Sequence, residues 1–174
     1  ATFAGDITIN ANNKKLLIGA SDDFEIYHDG TDNVIATDGP NIRIGTTGET
    51  FAKFTNNGAV ELYYDNVKTF YTNTNGVVVV AEEGGDANLF LHADEGDDNA
   101  DKWLIQSESD GFFAIKNYAS GAWQTSIKAT GNGAVELHHA DDGKKLETTS
   151  AGVDVTGTLD VTGVISADAG IDFS

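Results

Sequence analysis

The sequence predicts an all-β protein, and three observations carry that expectation. Apolar and polar residues alternate in bursts of about five, the pattern of a half-buried strand; examples are Phe24/Ile26, Ile42/Ile44, Phe51/Phe54, Val60/Leu62/Tyr64 and Val77/Val79. Turn signals separate the bursts, with 20 glycines among 174 residues and a single proline. Asp29-Gly30, Asn57-Gly58 and Asn75-Gly76 belong to the dipeptides that favour tight hairpins. No stretch sustains a 3.6-residue apolar period, so long helices are not expected.

One phrase occurs twice. Its first copy, Asn57-Gly58-Ala59-Val60-Glu61-Leu62-Tyr63-Tyr64, runs on through Lys68 and Thr72 to Gly76-Val77-Val78-Val79. The second, Asn132-Gly133-Ala134-Val135-Glu136-Leu137-His138-His139, runs through Lys144, Lys145 and Thr148 to Gly152-Val153-Asp154-Val155. The offset grows by one along the phrase (57 to 132, then 76 to 152), which places an insertion in the second turn near Asp142-Gly143. A weaker third copy lies upstream at Phe24-Glu25-Ile26-Tyr27-His28-Asp29-Gly30. Self-similarity of this kind implies a modular, linearly built chain.

The elements follow in order. Residues 1–80 read as a repetitive β module of short strands. The acidic, glycine-rich run Ala81-Glu82-Glu83-Gly84-Gly85-Asp86 marks a boundary, and residues 81–150 read as a β-meander module. Its strands are expected at 88–92, 103–105, 112–115 and 123–127, four or five in all, with Trp103, Phe113, Ile115 and Trp123 on the apolar side. Residues 151–174 change period. Asp154-Val155-Thr156-Gly157-Thr158-Leu159 is followed by Asp160-Val161-Thr162-Gly163-Val164-Ile165, a hexapeptide-like β segment leading to a further module or a neighbouring subunit. Two such units cannot close a core in one chain, so winding between chains is expected.

Charge and composition narrow the function. The net charge is −18, from 28 acidic and 10 basic residues; a polyphosphate partner is repelled, so neither nucleic acid nor an anionic membrane surface is expected. There is no cysteine, which removes disulfides and thiolate metal sites. No signal peptide or membrane-spanning run is visible. Methionine is absent even at position 1, which suggests a processed form or an excerpt of a longer chain.

Three groups of residues invite a site. Residues 94–101 supply five carboxylates, and a calcium ion would take Asp94, Asp97, Asp98 and Asp101 as ligands. The spacing is not that of an EF-hand, and a solvated acidic turn is the plainer reading. His138-His139 lies beside Asp141 and Asp142, but adjacent strand residues point to opposite faces, and the first copy carries Tyr63-Tyr64 there. Ring packing is therefore favoured over chelation. Among Tyr63, Tyr64, Tyr71, Tyr118, Trp103 and Trp123, most should pair across strands. Trp123 and Tyr118, beside the Ser120-Gly121 turn, are the expected glycan-binding pair. No catalytic motif is present; a non-enzyme without a cofactor, calcium aside, is expected.

Gly133-Ala134-Val135-Glu136-Leu137, Lys144-Lys145-Leu146-Glu147-Thr148-Thr149, Gly152-Val153-Asp154-Val155-Thr156-Gly157 and Gly96-Asp97-Asp98-Asn99-Ala100-Asp101-Lys102-Trp103 are similar to segments of tail-fibre and related appendage proteins of tailed bacteriophages, especially marine ones. The resemblance covers most of residues 55–165 and implies an elongated, interwoven homotrimer on a virion, outside the cell, that mediates attachment. Expected partners are other copies of the chain, other virion proteins and a host surface glycan. The function so implied is a stiff spacer, a host-attachment module, or both. Two alternatives stand beside it: a carbohydrate-binding β-sandwich, and a filament subunit that exchanges strands through its ends, residues 3–9 and 165–173. A polysaccharide depolymerase has no local support.

Overall fold

The computed structural model describes residues 4–140, 143–166, 168 and 170. Among these the chain is all-β: fifteen antiparallel strands and two single turns of 3-10 helix. Among the described residues no helix is long and apolar enough to cross a membrane. The chain divides into two units, Ala1–Glu82 and Glu83–Ser174.

The first unit holds two meanders. Strands β1 (Lys15–Ile18), β2 (Phe24–His28) and β3 (Asn33–Thr37) form a three-stranded sheet. Strands β4 (Asn41–Gly45), β5 (Thr50–Thr55), β6 (Val60–Tyr64), β7 (Val67–Asn73) and β8 (Gly76–Val79) form a five-stranded one. The second unit is one seven-stranded sheet in chain order: β9 (Ala87–His92), β10 (Lys102–Ser107), β11 (Phe112–Asn117), β12 (Gln124–Thr130), β13 (Val135–His139), β14 (Gly143–Thr149) and β15 (Gly152–Val155). The meander expected at four or five strands thus has seven. Beyond β15, residues 156–166 contain no strand.

The sequence repeat is a structural repeat. Strands β5–β8 and β12–β15 match position for position, including the bulges after Leu62 and Leu137. Thr72 Oγ1 accepts the Val60 N–H at 2.9 Å, and Thr148 Oγ1 accepts the Val135 N–H at 2.9 Å. In the first copy Tyr64 stands opposite Val67 across the two-residue turn Asp65-Asn66. Both turn residues have positive φ, 48° and 62°, the signature of a type I′ hairpin. In the second copy His139 stands opposite Gly143, so this turn takes the extra residue; Asp141 and Asp142 lie outside the described residues.

Register gathers the aliphatic side chains into rows, because residues directly opposite each other share a face. In the seven-stranded sheet Leu89, Ile105, Ile115, Ile127, Leu137, Leu146 and Val155 each oppose the next, one per strand. The five-stranded sheet has Ile44, Ala52, Leu62, Phe70 and Val79; the three-stranded sheet has Leu16, Ile26 and Ile35. The reverse faces carry the ionic residues: Lys53 opposite Glu61, Lys128 opposite Glu136, and Lys15, which stands opposite Tyr27 and reaches diagonally to Glu25 at 2.7 Å.

Among the described residues these rows are half-buried to exposed. Leu137 is 42% exposed, Leu62 43% and Ile35 60%. The only buried residues among those described are Leu104, Gln106 and Ala114, all on the reverse face of the second sheet. The chain exposes 12982 Å². Two independent compact units of half its mass would expose about 9,800 Å² in total. Two features contribute to the difference: the sheet rows are half-buried to exposed, and the described segments outside the sheets at 4–14 and 156–166 are exposed throughout.

One expectation is corrected here. Trp103 opposes Leu91 and lies on the aliphatic face with Ile105, Phe113 and Ile115. Trp123 precedes β12 and its ring meets Phe90, which alternation places on the reverse face. The connection into β12, not strand alternation, aims that ring.

Candidate functional site

The second unit extends the repeated scaffold. Its strands β11–β15 correspond to β4–β8, and β9 and β10 are added at one edge. The β11–β12 connection is also longer, six residues (118–123) against four (46–49) for β4–β5. It is held by Tyr118, whose N–H bonds to the Lys102 carbonyl at 3.1 Å, and by Gly121, whose N–H bonds to the Tyr118 carbonyl at 2.9 Å. Gly121 has φ 86°, a conformation that favours glycine.

These additions bring rings together. Trp123 lies 5.0 Å from Tyr118 and 5.7 Å from Phe90 between centroids, tilted by 57° and 49°. The His92 ring meets Phe90 edge-on at 6.3 Å, and Lys102 Nζ lies 5.7 Å from the Tyr118 centroid. Together they line an open hollow of about 410 Å³, within the size range of small-molecule sites. Trp123 and Tyr118 are thus adjacent. Sequence reasoning did not single out Phe90, His92 and Lys102. The unbroken run Leu89-Phe90-Leu91 was the available signal, because a strand apolar at successive positions presents a ring to both faces.

The acidic loop borders this hollow: a Cβ on Gly96 would come within 3.0 Å of the His92 ring, and one on Gly121 within 3.4 Å of Asn99 Nδ2. The loop makes two 3-10 turns, Asp94–Gly96 and Asn99–Asp101. Carboxylate oxygens of Asp97, Asp98 and Asp101 lie within 4.8 Å of one another, and Asp94 stands outside the group. Three carboxylates fall short of the roughly six to eight oxygens calcium takes, and two of the three are exposed.

The histidine pair splits between faces. His138 is half-buried with Nε2 3.1 Å from Glu136 Oε2, while His139 is exposed. Its first-copy counterpart Tyr63 donates its hydroxyl to Glu61 Oε2 at 3.1 Å. The position therefore takes a ring with a polar tip beside a glutamate. Hydrogen bonding from Lys68 holds the Glu61 carboxyl below its ordinary range, assisted by Tyr63 and Lys53. Burial pushes Glu136 up, but the His138 bond and the Lys128 and Lys144 charges outweigh it and leave that carboxyl lowered. Of the remaining aromatics, Tyr64 is 78% exposed, and Tyr71 has Lys68 Nζ 4.3 Å over its ring.

Comparison with protein-family models, with curated proteins and with solved structures found no match.

Proposed function

We propose that this chain is a structural component of a phage tail fibre or similar virion appendage, a stiff spacer that assembles as a homotrimer outside the cell. The observation that carries the reading is the half-exposed aliphatic row from Leu89 to Val155, repeated in shorter form in the other two sheets. Apolar surface contributes about 25 cal/mol per Å² when removed from water. A standard interface removes about 800 Å² per partner, an area that rows of this length are suited to supply. Three identical sheets turned toward one axis hide all their rows together, and the Lys–Glu reverse faces remain in water. Backbone ladders then give stiffness, and the net charge of −18 discourages side-to-side aggregation. Folding and assembly are linked in such a protein.

Light scattering coupled to size-exclusion chromatography tests this directly. A mass three times that of the 18.3 kDa chain is expected; a stable single-chain particle overturns the spacer reading. A second reading, carbohydrate binding, draws on the aromatic hollow, and in an appendage the two are compatible as spacer and attachment module.

A further inference from the structure

We propose that the hollow between Phe90, Tyr118 and Trp123 binds an uncharged pyranose ring of a surface polysaccharide. The inference rests on the appendage reading for the source of the sugar, not for the site.

The internal repeat supplies the first argument. One scaffold occurs twice, and the first copy makes its five-stranded sheet without any such cluster. The rings stand on the parts that only the second copy has: Phe90, His92 and Lys102 on or at the ends of β9 and β10, Tyr118 and Trp123 in the lengthened connection. Scaffold stability does not require them, and function is commonly carried by sites grafted on a scaffold.

Placement supplies the second. The hollow opens on the reverse face, away from the aliphatic row, so a neighbouring chain that covers the row leaves the hollow accessible. Chemistry supplies the third. Rings tilted by 49° and 57° form a shallow cup that suits the C–H face of a pyranose. The Lys102 ammonium, the His92 ring nitrogens and Asn99 beside Gly121 stand at the rim to meet hydroxyl groups. Charge selects among sugars. The bordering loop carries Asp94, Glu95, Asp97, Asp98 and Asp101 against one lysine, so sialic or uronic acids are repelled, as is a stacked nucleotide with its phosphate.

The test is an array of neutral and acidic oligosaccharides, with saturation-transfer NMR on each hit and light scattering on the same samples. Neutral hits are expected. Trp123→Ala should weaken them at least tenfold, Trp123→Phe should weaken them less, and Tyr64→Ala, which removes an exposed ring in the first unit, should leave them unchanged. A wild-type chain that binds no array member, binds acidic members only, or binds as well after Trp123→Ala overturns the site. The mass measured alongside separates the two readings, because trimers without binding remove only the site, and binding monomers remove only the spacer.

Discussion

The Glu61 carboxylate lies 2.9 Å from the Lys68 ammonium across the β6–β7 hairpin. The arrangement recurs across β13 and β14, where Glu136 lies 3.7 Å from Lys144. Each glutamate meets a second lysine from the preceding strand, Lys53 at 3.3 Å and Lys128 at 4.0 Å. The glutamate side chains are only 12% and 16% exposed. In a chain with 28 acids and 10 bases, placing two lysines beside one acid twice over concentrates scarce positive charge on the reverse faces.

These clusters predict an acid-sensitive sheet. Glu61 and Glu136 are held below their ordinary values in the folded state, so their contribution is present above the unfolded pKa of about 4.3 and is lost as pH falls through the lower folded value. Lys68 and Lys144, raised mainly by their bonds to Glu61 and Glu147, keep their contribution below about pH 10.4 and lose it as pH rises through the folded value. Urea midpoints at pH 7, 4 and 3 should fall on the acid side, and the Glu61→Gln, Glu136→Gln double variant should flatten that fall. Relief of self-repulsion on protonation acts on both proteins, so their difference isolates the clusters. Parallel acid limbs would remove this account.

Leu137 sits mid-row between Ile127 and Leu146 and is 42% exposed. Leu137→Asp should bring particles to the mass of one chain, because a carboxylate in the seam must be desolvated without a partner. Light scattering reads the result. An unchanged mass would move the seam off this face.

Asn66 holds φ 62°, accepts the Thr50 N–H at 2.9 Å and donates to the Gly48 carbonyl at 3.2 Å. Asn66→Ala should cost about 2 kcal/mol, from left-handed strain and lost hydrogen bonds. Asn66→Gly loses only the bonds and should cost about 1 kcal/mol. Denaturant midpoints at fixed chain concentration give the order; equal losses would count against backbone strain.

Thr72 and Thr148 make the same backbone bond in the two copies, each at 2.9 Å. Thr72→Val and Thr148→Val should therefore destabilise alike, by about 1 kcal/mol each. A large disparity in unfolding midpoint would show that the copies are equivalent in backbone only.

Much of the fold was legible one strand at a time. Val60/Leu62 and Val77/Val79 alternate as strands do, the duplicated phrase announced a duplicated sheet, and the shifted offset placed the insertion near Asp142-Gly143, between the paired residues His139 and Gly143 or beside them. The site was half legible: Trp123 and Tyr118 stood out as rings beside a turn, whereas Phe90 was hidden inside an apolar run. The fourth acid, Asp94, joined its neighbours in sequence but not in space.

By itself, then, the sequence determined an all-β, repeated, acidic chain, since alternation and turn chemistry act over a few neighbouring residues. Only the tertiary structure decided that seven aliphatic side chains align in one row, that Trp103 and Trp123 face opposite ways, and that the row stays half-buried to exposed among the described residues. The reason is physical: alternation sorts residues to two faces within a strand. Turn lengths and bulges, such as those after Leu62, Ile115 and Leu137, set which residues meet across strands, and a sheet's inner face becomes a core only when another surface arrives to cover it.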